Sequence, residues 1–478
     1  MLSAVDFSFA IPCIVLDARA IPLTTSPADT SDLLAPLDLA FWNIETAEHP
    51  MHLGALGVFE ADGPHAAQHA TGLLAARAEA VPGLRMRIRS VWLPVGGATR
   101  VPVPAFDPLE HVRLAEPVAD FHAAAGELMR RQLDRERPPW EAHVLPGADG
   151  TSFAVLFKFH HALADGLRAL TLGAALLDPA DLPPSRPRPP APAASRWALA
   201  DPRRLPGLVR GTAAEVGQAL GIGTSVARAT LGARSCDALT SSATGTRRTA
   251  GVVLDLDDVH QVRKAVGGTV NDVLIAVVAG ALRRWLDERG DCSEGVEPRA
   301  LVPVSRRRPR SAQPPGNRLS GYLVRLPVSD EDPLVRLRRV RTTMDRNKEA
   351  GPERGAGAVA LLAEHVPPLG HRLGGPLVAQ AARLLFDILV TSVPLPGIAL
   401  RLGGCRLAEV YPFAPLAQGQ SLAVAVSTYR GRVHFGLIAD ATAVPDLELL
   451  AQSVLDEIDA LVAVCANGAG LVTGPGLS

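Results

Sequence analysis

Two adjacent histidines, followed at a fixed distance by an acid and a glycine, are the residues of this chain best suited to chemistry. His160 and His161 end an apolar run, and Asp165-Gly166 comes four residues after the second histidine, directly before a leucine-rich segment. Histidine is the commonest general base because its ordinary pKa lies near neutral pH. The pattern predicts a strand, a turn and a helix, with titratable groups at the turn.

The two histidines should face different surroundings. Side chains alternate along a strand, so His161 is expected on the face of Phe159 and His160 on the face of Lys158. Each residue also has a structural interpretation, since Asp165 could cap the following helix, Gly166 could serve a tight turn, and either histidine could be a hydrogen-bonded core residue. Four such residues in one pattern favour a functional site.

Two residues of the second half begin a long apolar helix. Asn271 and Asp272 follow Thr269, and Thr269 with Asp272 resembles a capping box in which Asp replaces the usual Glu or Gln. The apolar spacing predicts a buried helix that ends near Arg289. Helix N-termini also bind anionic groups, so both capping and a role in the site are open for Asn271 and Asp272.

Two further candidates lie at element boundaries in the first half. Asp38 is placed to cap a short helix that runs through Phe41 and Trp42. Trp140 follows a pair of prolines just before a strand, where a tryptophan serves either core packing or a binding site. Both are therefore candidate binding or structural residues.

Composition excludes several classes of protein. The chain has 478 residues, enough for two to three domains, and 48 basic against 49 acidic residues give a net charge of −1, which argues against nucleic-acid binding. Its five cysteines, at positions 13, 236, 292, 405 and 465, form no CxxC pair or zinc spacing, which indicates a reducing, cytoplasmic compartment and no metal site.

No segment of the sequence has the character of a membrane anchor or a secretory signal. The first basic residue is Arg19, and the early apolar piece is broken by Pro12, which argues against a signal. The longest apolar run, 273–282, is about half of the roughly 20 residues that a membrane span needs. A soluble or peripheral protein is expected.

The chain divides at one abrupt change in composition. A proline-rich stretch begins after Leu177 and cannot form a helix interior or a central strand. We therefore predict an N-terminal extension (1–30), a first domain with the histidine motif (31–180), a linker and crossover (181–248) and a second domain (249–478). Strands alternate with helices in both halves, which predicts the α/β class.

Three common chemistries lack their motifs. The nearest approach to a GxSxG nucleophile elbow, at 419–423, lacks its final glycine. A P-loop is missing from the sequence, and Gly221-Ile222-Gly223 lacks the third glycine of a dinucleotide fingerprint. A histidine base without a nucleophilic side chain suits attack by a bound hydroxyl on an activated acyl group such as a thioester.

The histidine stretch matches the HHxxxDG motif of the CoA-dependent acyltransferase superfamily. Over residues 31–462 the chain resembles the bacterial wax ester synthase/diacylglycerol acyltransferase family. The stretches that carry this resemblance are Pro36-Leu37-Asp38, Pro50-Met51-His52, Asp134-Arg135, Trp140-Glu141, Asn271-Asp272-Val273, Gly316-Asn317, Val390-Thr391, Tyr411-Pro412 and Gly419-Gln420.

The resemblance implies two chloramphenicol-acetyltransferase-like domains, with mixed sheets flanked by helices and an active-site tunnel at their interface. It further implies that His161 is the base, that Asp165 braces the turn, and that Asn271 and Asp272 support the site from the second domain. His160, His161 and Asp165 are thus the candidate catalytic residues, while Gly166, Asp38 and Trp140 join the supporting set.

The implied reaction moves a long-chain acyl group from acyl-CoA, a co-substrate, to the hydroxyl of diacylglycerol or a fatty alcohol, without a metal or redox cofactor. Peripheral association with a membrane or lipid inclusion accompanies such an acceptor. One alternative is acylation of a polyketide or peptide from a carrier-protein or CoA thioester. Another is a catalytically silent lipid-binding scaffold.

Overall fold

The structure of the protein is a computed structural model. It describes residues 33–91, 96–178, 236–241, 245–305, 319–350, 385–395 and 397–470. The predicted N-terminal extension, most of the proline-rich linker and the Gly316-Asn317 stretch lie outside the described residues.

Eight α-helices and fourteen strands occur within the described ranges. The helices are α1 (Pro36–Ile44), α2 (Ala66–Ala80), α3 (Phe121–Arg130), α4 (Gly166–Ala174), α5 (Leu256–Val266), α6 (Val270–Arg289), α7 (Pro333–Ala350) and α8 (Leu447–Gly470). The strands of the first half are β1 (His52–Glu60), β2 (Met86–Ser90), β3 (Ala98–Pro102), β4 (Val112–Leu114), β5 (Trp140–Pro146) and β6 (Ser152–His160). Those of the second half are β7 (Arg248–Asp255), β8 (Arg299–Ser305), β9 (Leu319–Arg325), β10 (Ile388–Ser392), β11 (Arg401–Leu402), β12 (Cys405–Phe413), β13 (Leu422–Tyr429) and β14 (Arg432–Ala439).

Most strands belong to two six-stranded mixed sheets. The first has the order β11-β12-β1-β6-β5-β4, and the second has the order β7-β14-β13-β10-β8-β9. Parallel pairs occur in both sheets, between β4 and β5 in the first and on both sides of β10 in the second. The predicted α/β class with mixed sheets and flanking helices is confirmed.

One strand of the second half completes the first sheet. Strand β12 pairs antiparallel with β1, with Gly54 opposite Phe413. Strand β12 also approaches β14 of the second sheet so closely that a Cβ on Gly436 would lie 1.9 Å from the Pro412 carbonyl oxygen. Only glycine fits such an approach. The two sheets therefore meet at β12, while the domain boundaries themselves stay a prediction.

Strand β6 is buried on both faces. Phe153, Val155, Phe157 and Phe159 belong to a hydrophobic cluster with α2, and the alternate residues Ala154 and Leu156 pack in another cluster with β12 and β13. This alternation is the one predicted for the strand. Both histidines at its carboxyl end are consequently inside the protein.

The long helix α6 has the ends that its sequence predicts. Thr269 and Asp272 form a capping box, and Gly290 ends the helix in the left-handed region with φ 76°. Thirteen of its residues are buried, where it packs against α7 and α8. Among the described helices none is by itself long and apolar enough to cross a membrane; α5 and α6 qualify only together, and they meet at 101°.

Candidate active site

A tight turn joins β6 to α4 and carries the histidine motif. The His161 N–H donates to the Met51 carbonyl at 2.8 Å, and the Leu163 N–H donates to the His160 carbonyl at 2.8 Å. Asp165 is the N-cap of α4, and its carboxylate accepts the Arg168 N–H at 2.8 Å. The capping role considered for Asp165 is therefore confirmed.

Gly166 begins α4 where the two halves of the chain touch. A Cβ at this position would lie 3.3 Å from Cγ2 of Val393, which follows β10. The Val393 carbonyl accepts the Ser427 hydroxyl at 2.7 Å, and this fixes it to the second sheet. The histidine turn therefore lies against the second half.

His161 is buried and stacked on an aromatic ring. Its side chain packs on Phe41 with ring centroids 3.9 Å apart and an interplanar angle of 16°. Burial lowers the pKa of His161 to about 4, although its backbone hydrogen bond and Asp165 act in the opposite direction. The imidazole is thus neutral at neutral pH, which is the form that accepts a proton.

His160 has a different environment, with both ring nitrogens directed at protein groups. Its Nδ1 accepts the Ala162 N–H at 3.0 Å, which assigns the ring proton to Nε2. Nε2 lies 3.4 Å from a Glu45 carboxylate oxygen, and Trp42 packs edge-on at 4.9 Å. The two histidines therefore have different surroundings, as the alternation of side chains along a strand predicts.

Asp38 does not cap α1 as predicted. The N-cap is Ala35, which makes no side-chain hydrogen bond, and Asp38 is the third residue of the helix. Its fully buried carboxylate lies 2.6 Å from the Arg100 guanidinium, which also donates to the Ala162 carbonyl at 2.9 Å. The prediction was wrong because Asp38 pairs with Arg100, which is distant in sequence but adjacent in the folded protein.

Asp272 makes the capping contacts of α6. Its carboxylate accepts the Thr269 N–H at 2.8 Å, its own N–H donates to the Thr269 hydroxyl at 3.2 Å, and Lys348 Nζ lies 3.6 Å away. Asn271 is partly buried beside it in the first turn. Support of the histidine turn by these two residues stays a prediction.

Trp140 has the contacts of a core residue. It is fully buried, its indole N–H donates to the Leu84 carbonyl at 2.7 Å, and it stacks on His111 at 4.9 Å. Of the two alternatives left open for it, the contacts favour packing.

Sequence reasoning missed Glu45 and Arg100, which both contact the motif. The carboxylate of Glu45 lies 3.3 Å from His52 Nε2 as well as near His160. Burial alone would raise the pKa of Glu45, but the neighbouring His160 and His52 hold it well below its usual range. An isolated charged residue in a sequence carries no signal of a partner that lies tens of residues away.

Neither metal-binding groups nor disulfides were found where the structure describes the chain. No group of three or more His, Cys, Asp or Glu side chains there is arranged to hold a metal ion. Cys236, Cys292, Cys405 and Cys465 are free thiols, and Cys13 lies outside the described residues.

Solved acyltransferases share this architecture. The wax ester synthase/diacylglycerol acyltransferase from Marinobacter aquaeolei VT8 superposes with a TM-score of 0.66 at 23% identity, covering 91% of this chain and 100% of that one. The trichothecene 15-O-acetyltransferase TRI3 from Fusarium sporotrichioides superposes with a TM-score of 0.59 at 11% identity, covering 90% and 95%. The fold is that of an acyltransferase.

Two family models match this chain. The wax ester synthase/diacylglycerol acyltransferase catalytic domain matches residues 34–274, and the C-terminal domain of that family matches 315–462. Two Mycobacterium tuberculosis relatives bear the names "Probable diacyglycerol O-acyltransferase" tgs2 and tgs1. The first is 34% identical over 442 residues, covering 88% of this chain and 96% of its own length; the second is 30% identical over 455 residues, covering 90% and 96%. The chain belongs to the wax ester synthase/diacylglycerol acyltransferase family, which confirms the resemblance.

Proposed function

We propose that this protein transfers a long-chain acyl group from acyl-CoA to the hydroxyl of diacylglycerol or a fatty alcohol, with His161 as general base. Family membership makes it an O-acyltransferase of triacylglycerol or wax ester synthesis. The observation that carries the mechanism is the buried, neutral imidazole of His161 at the β6–α4 turn.

The reaction follows from one proton acceptor and an activated acyl donor. His161 removes the proton of the acceptor hydroxyl as its oxygen attacks the thioester carbonyl. The tetrahedral intermediate then expels the CoA thiolate, which receives that proton from His161. A positioned base contributes roughly 10²–10⁴ in rate. A thioester is already activated, so we propose that no cofactor is required beyond acyl-CoA as co-substrate.

The contacts of His160 support the choice of base. Its Nδ1 already accepts the Ala162 N–H, and the proton on Nε2 is directed at the Glu45 carboxylate. A histidine held in this way shapes the turn and has no free lone pair for a substrate proton. His161, next to it, has the neutral ring and stacks on Phe41, in a turn whose Gly166 lies against Val393 of the second half.

The test is CoA release by the purified protein from palmitoyl-CoA with diacylglycerol, hexadecanol or no acceptor. We expect acceptor-dependent release, and His161→Ala should lower it by roughly 10²–10⁴-fold. Full activity in His161→Ala together with an inactive, folded His160→Ala would show that the base is wrongly assigned.

The same assay with other acyl donors and acceptors distinguishes the alternative functions. Turnover only with an acyl carrier-protein thioester and a non-lipid acceptor would favour the secondary-metabolism alternative, and no turnover with any donor would favour the silent scaffold. The lipid acceptor also leads us to propose peripheral association with a lipid surface. Co-sedimentation with phosphatidylcholine vesicles containing diacylglycerol tests this, and failure to co-sediment would contradict it.

A further inference from the structure

A buried carboxylate ends helix α1 beside the histidine turn. The side chain of Glu45 is only 1% exposed, and it lies within 3.4 Å of both His52 and His160. Removing a carboxylate from water is costly unless hydrogen bonds and counter-charges compensate. Arg135, at 3.9 Å, is the nearest guanidinium, and it also stacks over the Trp42 ring. The position of Glu45 therefore needs an explanation beyond core packing.

The first of two routes from Glu45 is a close contact followed by a hydrogen bond, and it reaches the residue after His161. One carboxylate oxygen faces Nε2 of His160 at 3.4 Å, and Nδ1 of the same ring accepts the Ala162 N–H at 3.0 Å. The carboxylate thus favours the tautomer with its proton on Nε2, and only that tautomer leaves Nδ1 able to accept from Ala162.

The second route reaches His161 itself from the other carboxylate oxygen. That oxygen accepts the Met51 N–H at 3.2 Å, and the Met51 carbonyl accepts the His161 N–H at 2.8 Å. Both routes therefore end on the backbone of the same turn, at the amide N–H of His161 and at the amide N–H of the residue that follows it.

We infer that Glu45 is a positioning residue for His161, which it acts on through the His160 ring and through the Met51 peptide. The inference rests on the proposed function, since it assigns Glu45 a part in orienting the proposed base. The carboxylate contacts His52, His160 and the Met51 N–H, and through the last two it sets the position of the His161 ring.

Glutamine at position 45 is the sharpest perturbation, because it has nearly the same size but only one acceptor oxygen. The single oxygen of the glutamine can accept from the His160 ring or from the Met51 N–H, and its amide NH₂ must then face the other of these two donors. One route is lost in either orientation. Loss of one hydrogen bond to a charged group corresponds to roughly 10–100-fold in kcat. The KM for acyl-CoA should change by less than about twofold, because the side chain of Glu45 is 1% exposed and acts through His160 and Met51.

The matched control is Glu457→Gln in α8. Glu457 is also fully buried, and its carboxylate bonds Arg336 and Arg284 in the second half. We expect both variants to lose stability, but only Glu45→Gln to lose kcat. Equal kcat values for Glu45→Gln and wild type, or equal losses of kcat in both variants, would overturn the inference.

A second measurement does not depend on turnover. In protein labelled with ¹⁵N-histidine, the ring nitrogens of His160, assigned by comparison with His160→Gln, should show the proton on Nε2 in the wild type. A wild-type proton on Nδ1 would overturn the inference even if the enzyme is active. If the wild type shows the expected tautomer but releases no CoA with any acceptor, the proposed function fails while the Glu45–His160 connection stands.

Discussion

Replacing Arg100 with methionine should be among the most damaging single changes in the first half. The guanidinium and the Asp38 carboxylate are 5% and 1% exposed and lie 2.6 Å apart. Removing one partner of a buried ion pair typically costs about 3–5 kcal/mol because the other charge stays buried. The same substitution removes a donor to the Ala162 carbonyl at 2.9 Å, so the turn that carries His161 loses a support.

A double variant separates stability from activity. In Asp38→Leu/Arg100→Met both charges are replaced by apolar groups, which is often close to neutral for a buried pair, so we expect recovery of about half or more of the lost stability. Activity should stay low, because the Ala162 carbonyl still lacks its guanidinium donor.

Urea unfolding, monitored by tryptophan fluorescence, measures the loss and recovery of stability, and CoA release measures the activity. The control is Arg406→Met, which removes an ion pair to Glu60 whose side chains are 43% and 54% exposed. Such surface pairs contribute about 0–1 kcal/mol. A loss below about 1 kcal/mol in Arg100→Met would refute the argument from burial. Full recovery of kcat in the double variant would refute the role assigned to the turn.

Three further predictions concern buried polar groups. Burial lowers the pKa of His161 and of His52 to about 4. As the pH falls from 6.5 towards 4, these two histidines therefore gain protons only in the unfolded chain. The free energy of unfolding, measured in urea, should drop by about 2 kcal/mol per histidine between pH 7 and pH 5. His52→Gln should remove about half of this combined loss. Asp272→Ala should cost about 1 kcal/mol in urea unfolding through loss of the capping box. Trp140→Phe should cost about 1–3 kcal/mol by leaving the Leu84 carbonyl without its donor, measured as a lower denaturation midpoint.

Each of these predictions has a contradicting result. Stability that is flat between pH 7 and pH 5 would mean that the buried histidines do not resist protonation. An Asp272→Ala variant as stable as wild type would show that the capping box does not stabilise helix α6. Thr269→Ala is the control, because it removes the hydrogen bond that the Thr269 hydroxyl accepts from the Asp272 N–H. A Trp140→Phe variant with unchanged stability would show that the hydrogen bond from the indole N–H to the Leu84 carbonyl does not stabilise the core.

The predictable parts of the fold are those with local causes. Helix α6 begins at its Thr269 capping box and ends at Arg289 because caps and apolar spacing act within a few residues. The strand–turn–helix around the two histidines is of the same kind. By contrast, no local pattern could show that β12 joins the first sheet, because its partner β1 lies some 350 residues earlier in the chain.

The same distinction between local and long-range causes applies to the candidate site. The sequence by itself determined which residues could do the chemistry and which family they belong to, because the histidines, Asp165 and Gly166 follow one another along a single turn. Only the tertiary structure decided how the two histidines differ, since burial lowers the pKa of His161 while Glu45 and Ala162 hold the ring of His160. It also moved Asp38 from a helix cap to a buried pair with Arg100. Such roles depend on dielectric environment and on contacts between distant segments, which exist only once the chain has folded.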